Sequence, residues 1–176
     1  MNKLLNLGSR PLALAGAVAC FGLIGIAIYL QNVVGLEPCP LCMLQRLVYV
    51  GLGTIFLIQA IHGPGRTGTL VYGVLELAGA LTGIGFSARH VWLQWNPPEF
   101  NACTADLFFQ LRKFPILNVI ERALRATGDC AVVDWTMLGL SIAEWSLVWF
   151  VLLSGLAVLI MRRAGRARRG VAPATA

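Results

Sequence analysis

The stretch EPCPLCMLQRLVYVGLGTIFLIQAIHGPGRTG, Glu37 to Gly68, decides the fold. Cys39 and Cys42 stand three apart among prolines, and a mostly apolar run follows them until the glycine- and proline-punctuated turn HGPGRTG. Residues 41–61 match the roughly 20 residues at 1.5 Å rise each that cross a bilayer. Pro38 and Pro40 disfavour helix before the motif, while Pro40 suits a first helical position, so a spanning helix is expected to begin at the thiol pair.

Working outward, three more runs of spanning length appear, at residues 12–30, 69–88 and 145–161. The composition agrees: 57% of residues are hydrophobic and 12% charged, with a mean hydropathy of +0.74, so the chain's main solvent is lipid. No run shows the alternation of barrel strands, and a closed barrel needs more segments than 176 residues provide. The expected fold is therefore an all-α membrane protein, a four-helix transmembrane bundle forming a single integral membrane domain over residues 1–176.

Lysine and arginine in the short connections set the orientation. Lys3 and Arg10 precede the first run, Arg66 lies in the turn between the second and third, and Arg162, Arg163, Arg166, Arg168 and Arg169 follow the fourth. With four spans these regions share one side, the cytoplasm, and both termini lie there. A short loop, 31–40, and a long one, 89–144, face the periplasm; residues 162–176 form a cytoplasmic tail. The first run is read as a retained span: it is longer than the apolar part of a secretory signal and no clear small-x-small cleavage site follows. The net charge of +6 fits the inside-positive pattern and anionic headgroups, and no nucleic-acid recognition module accompanies it.

This orientation sorts the five cysteines. Cys39 and Cys42 fall at the outer end of the second span, Cys103 and Cys130 in the long outer loop, and Cys20 inside the first span, where it is expected to pack as a small apolar side chain. Four thiols in a disulfide-permissive compartment allow three pairings; joining neighbours, Cys39 with Cys42 and Cys103 with Cys130, is the least contrived. Closing the long loop with a Cys103–Cys130 bridge would stabilise it by roughly 3–4 kcal/mol in the chain-entropy model. A bridge between Cys39 and Cys42 constrains almost no chain, so redox exchange explains that pair better than stapling does.

Cys42 is expected in the first helical turn, where unpaired amides and the helix dipole favour a negative sulfur. Arg46 lies four residues on, on the same helix face, where a cation supports a thiolate; an interfacial anchor is its plainer role. A reduced dithiol needs an electron acceptor. The chain has no GxGxxG fingerprint, and its two histidines leave little for haem ligation, so a lipid-soluble quinone is the natural acceptor.

The segments CPLCMLQR, SARHVWLQWNPPEFNAC and TGDCAVVDWTMLGL together resemble the DsbB family of bacterial inner-membrane disulfide bond formation proteins. The resemblance covers nearly the whole chain. It implies a relay in which a reduced DsbA-like periplasmic thioredoxin-fold protein attacks Cys103 of a Cys103–Cys130 disulfide. Cys130 then engages Cys39 and frees Cys42 as a thiolate facing ubiquinone or menaquinone. It also implies that His90, at the outer end of the third span, lies near the quinone, where it would hydrogen-bond a carbonyl or handle protons; an interfacial histidine with no role in turnover is its plainer reading. The catalytic residues expected are thus Cys39, Cys42, Cys103 and Cys130, with Arg46, His90 and Cys42 at the quinone, the bilayer as solvent, and neither a resident metal nor a nucleic-acid partner.

Rival readings are a vitamin K epoxide reductase-like thiol:quinone enzyme, which the cysteine order disfavours, a metal-handling CxxC membrane protein, and a purely structural tetraspan. An aromatic belt at the outer boundary accounts for Trp92, Trp95, Trp135, Trp145 and Trp149, one of which could border a quinone. Ile116, Leu117, Val119, Ile120, Ala123 and Leu124 recur at helical spacing among polar residues, as in a helix lying along the membrane surface within the long loop. Glu76 falls near the middle of the third span, where an ionised carboxylate is expensive, so it is expected to face the bundle interior in a structural role or be protonated; a proton pathway is the alternative.

Overall fold

The computed structural model describes residues 9–36, 39–97 and 135–166. Four of its helices are long and apolar enough to cross a membrane. They are α1 (Ser9–Tyr29), which continues into a π-helical segment at Leu30–Val34, α2 (Pro40–His62), α3 (Arg66–Trp95) and α4 (Ile142–Arg166). A two-stranded antiparallel hairpin, β1 (Thr136–Met137) and β2 (Leu140–Ser141), precedes α4. The surface helix expected at residues 116–125 lies outside the described residues, as do Cys103 and Cys130.

α1 packs on α2, α2 on α3, and α3 on α4. Lipid tails are as apolar as leucine, so close van der Waals contact at small residues, and not escape from water, holds such helices together. The interfaces follow that rule. Gly53 lets Cys20 approach so closely that a Cβ at position 53 would stand 2.9 Å from the Cys20 Cβ, and Gly83 makes room for the Phe150 ring. Phe56, Phe150, Leu52, Ile160 and Cys20 form the shared core, while Leu47, Val18 and Ile61 are left exposed as a lipid-facing surface.

The helices outrun the apolar stretches that mark them because their ends are set by caps. α2 ends on Gly63 at φ 52°, a left-handed position that favours glycine, with its N–H on the Gln59 carbonyl. α4 starts with a capping box: the Ser141 N–H donates to Glu144 Oε2 at 2.7 Å, and the Glu144 N–H donates to Ser141 Oγ at 3.3 Å. The hairpin turn carries Leu138 at φ 56° and Gly139 at φ 81°, the left-handed pair that a two-residue connection requires. Ser141 Oγ also donates to Gln94 Oε1 at 2.7 Å, which fastens the start of α4 to the end of α3.

Candidate redox site

The site begins with the way α2 starts. Pro40 occupies the first turn, where its missing N–H costs nothing, and Cys39 is the N-cap, extended at φ −68° and ψ 164°. The Cys42 N–H donates to the Cys39 sulfur at 3.4 Å, so Cys39 caps the helix with Sγ where a serine would use Oγ. Cys42 stands in the first turn of α2, and its own N–H goes to Cys39. Cys39 takes the amide, and Cys42 lies beside it with the two sulfurs 3.0 Å apart and both residues half-buried. Closing the pair to a disulfide of about 2.05 Å needs a shift of only about an ångström. Beneath the pair Leu41, Leu44 and Leu93 form a small apolar floor against which Cys39 packs.

α3 brings His90 to the same point. The ring is 3% exposed, enclosed by the bundle's own side chains. Its Nε2 stands 3.6 Å from Cys39 Sγ, and its Nδ1 lies 3.2 Å from the side-chain amide nitrogen of Gln45, itself 4% exposed. An amide can donate through nitrogen or accept through oxygen, so Gln45 suits either imidazole tautomer while fixing the plane of the ring.

Arg46 is half-buried and turns toward α1. Its guanidinium donates to Gln31 Oε1 and, at 3.2 Å, to the Ala27 carbonyl. Gln31 sits in the π-helical segment, whose wider turn is a frequent device at functional sites. The cation, one turn past Cys42, is thereby anchored to the neighbouring helix.

These groups share one cavity of about 470 Å³ between α1, α2, α3 and α4. Leu23, Ile24 and Leu30 contribute apolar wall, and Cys39, Cys42, Gln45, Arg46 and His90 line it too. Trp135, Trp145 and Trp149 also line it, whereas Trp92 and Trp95 are 58% and 70% exposed, as an aromatic belt would be. Among these neighbours Tyr49 stacks on Phe150 with ring centres 4.1 Å apart, and its hydroxyl donates to the Ser146 carbonyl at 3.1 Å. Sequence reasoning missed Gln31, Gln45 and Tyr49. A glutamine three residues past Cys42 inside an apolar run was the one available signal, since polar side chains within spans tend to be functional.

A thiol pair capping a membrane helix and opening into an apolar cavity defines a membrane-embedded dithiol redox protein. The profile of a family described as "Disulfide bond formation protein DsbB" matches residues 9–160. The chain is 46% identical over 146 residues to "Disulfide bond formation protein B" of Methylobacillus flagellatus, covering 82% of this chain and 88% of that one. It is 44% identical over 155 residues to the protein of that name from Aromatoleum aromaticum (88% and 93% covered), and 45% over 162 residues to that from Xanthomonas oryzae pv. oryzae (91% and 92% covered). The chain belongs to the DsbB family, a family of disulfide bond formation proteins.

Proposed function

We propose that the protein is a thiol:quinone oxidoreductase of the bacterial inner membrane, which reoxidises a DsbA-like periplasmic thioredoxin-fold protein and passes the two electrons to ubiquinone or menaquinone. The observation that carries this reading is the position of the Cys39–Cys42 pair at the polar end of an apolar cavity of about 470 Å³. That volume lies within the range of small-molecule sites, and Gln31, Gln45, Arg46 and His90 line the same cavity as the sulfurs, with polar atoms that suit an apolar ring carrying two carbonyl oxygens. A bound quinone supplies the acceptor for two electrons and two protons.

The chain's own residues do the rest. By family resemblance Cys103 takes the incoming thiolate and Cys130 passes the exchange to Cys39, which leaves Cys42 as the released sulfur. The amide end of α2 favours negative charge on the pair. His90 Nε2, 3.6 Å from Cys39 Sγ, is placed to take and return a thiol proton, with Gln45 holding the ring through Nδ1. Arg46, held by Gln31 and the Ala27 carbonyl, presents fixed positive charge to the cavity.

The same reading places the thiol pair on the periplasmic side and both termini in the cytoplasm, in one integral membrane domain. The Arg10 guanidinium lies over Gly63, beside the turn that holds Arg66, and Met161, just before Arg162 and Arg163, packs at Gly73 near the start of α3. Basic residues thus collect at the end of the bundle opposite Cys39, as the inside-positive pattern requires.

Mixing the purified protein with reduced DsbA and a soluble quinone tests the proposal. Loss of quinone absorbance that vanishes in Cys42→Ser and Cys103→Ala supports it; unchanged quinone with the intact protein overturns it.

A further inference from the structure

We infer that the reduced Cys39–Cys42 pair and His90 form a binding site for a soft divalent cation, of which Zn2+ and Cd2+ are the chemical types, and that occupancy holds the pair reduced and out of turnover. The sequence offered a CxxC pair; the fold brings a third donor, His90, to it from another helix. The ligand atoms of Cys39, Cys42 and His90 all lie within 4.8 Å of one another, with the sulfurs 3.0 Å apart and Nε2 at 3.6 Å from Cys39 Sγ.

Tetrahedral zinc takes sulfur at about 2.3 Å and imidazole nitrogen at about 2.0–2.1 Å, so the three donors need only spread slightly to surround one ion. Thiolate and imidazole are also the ligand types that suit Zn2+ over hard cations. Gln45 supplies what metal-binding histidines need in addition: a partner on the other ring nitrogen, here 3.2 Å away, that fixes the ring and leaves Nε2 facing the sulfurs.

Charge favours the complex. Binding releases both thiol protons, and two thiolates with a neutral imidazole cancel the charge of a divalent ion, so the occupied site is neutral where it borders apolar wall. Because both sulfurs are ligands, the bound pair is withdrawn from disulfide exchange.

The test uses the full chain carrying Cys20→Ala, Cys103→Ser and Cys130→Ser, reduced in detergent and titrated with Cd2+ while the thiolate-to-metal charge-transfer absorption is followed. A single Cd2+ per chain is expected, displaced by Zn2+, with proton release, and absent from the Cys39–Cys42 oxidised form. Gln45→Leu should weaken binding roughly 10–100-fold, the usual effect of removing a ligand's supporting partner, and His90→Phe at least as much. Affinity unchanged in His90→Phe, or binding retained after oxidation of the pair, overturns the inference. Adding Cys42→Ser, a near-isosteric change, gives a second check: undiminished Cd2+ affinity there also overturns it. No electron-transfer step enters, so a reduced chain that takes up no Cd2+ while the intact protein still reduces quinone sinks this inference and leaves the oxidoreductase reading standing.

Discussion

Gln45 and His90 come from different helices and meet inside the bundle, the amide nitrogen 3.2 Å from Nδ1, while the far side of the same ring faces Cys39 at 3.6 Å. Gln45→Leu removes the amide contact to the buried ring, at about 1 kcal/mol of stability. A freed ring also loses its aim at the sulfur, and small misplacements near chemistry cost up to about a hundredfold. The expected outcome is a tenfold or greater fall in quinone reduction by Gln45→Leu, with most activity kept in Gln45→Glu, which retains an acceptor for an Nδ1 proton. Steady-state rates beside a thermal melt separate the two effects; equal rates in Gln45→Leu and the parent chain would contradict the positioning role.

Arg46 donates to the Ala27 carbonyl of α1 and to Gln31 in the π-helical segment that continues it. If its charge serves the quinone, Arg46→Met should raise the quinone KM about 10–100-fold, the worth of a charge-assisted hydrogen bond at roughly 1.5–3 kcal/mol. Arg46→Lys keeps the charge but not the fork that bridges Gln31 and the Ala27 carbonyl, so an intermediate KM is expected. A fall in kcat with KM unchanged would assign Arg46 to the thiolate instead.

The four helices were legible because a bilayer demands unbroken apolar runs of about 20 residues, a signal that survives any detail of packing. Their ends were less so. The fourth run appears to the eye to begin at Trp145, yet the Ser141–Glu144 capping box starts α4 at Ile142, and the short hairpin before it had no alternating pattern long enough to notice. In the site, Cys39 and Cys42 announce themselves by spacing. His90 lies 51 positions from Cys39, and only family resemblance pointed to it. Gln31 owes its place to a π-helical turn that no residue pattern marks, and Gln45 looks like any polar interruption until its partner on α3 is seen.

Gly83 faces Phe150 with no room for a side chain, since a Cβ there would overlap the ring. Phe150 in turn stacks on Tyr49, which lines the cavity. Gly83→Ala should therefore destabilise the bundle by about 1–3 kcal/mol, the usual cost of overpacking, and lower quinone affinity through the displaced Tyr49. Phe150→Leu in the same chain relieves the overlap and should restore part of the loss in melting temperature. Additive destabilisation by the two changes would mean that they do not act through this contact.

Glu76 is fully buried on α3, as the cost of a carboxylate in lipid led one to expect, and neither of its oxygens has a hydrogen-bond partner among the described residues. It does not line the cavity that holds the thiols. A buried polar group without a partner weighs against the folded state, so a shape-matched apolar replacement should help the bundle. Glu76→Leu is expected to stabilise the protein by about 1–3 kcal/mol, and Glu76→Gln to leave melting close to unchanged, with turnover and quinone KM preserved in both. Melting curves in detergent and steady-state quinone reduction check this. A loss of turnover in Glu76→Gln at normal melting temperature would move the carboxyl from the packing of the bundle to its proton chemistry.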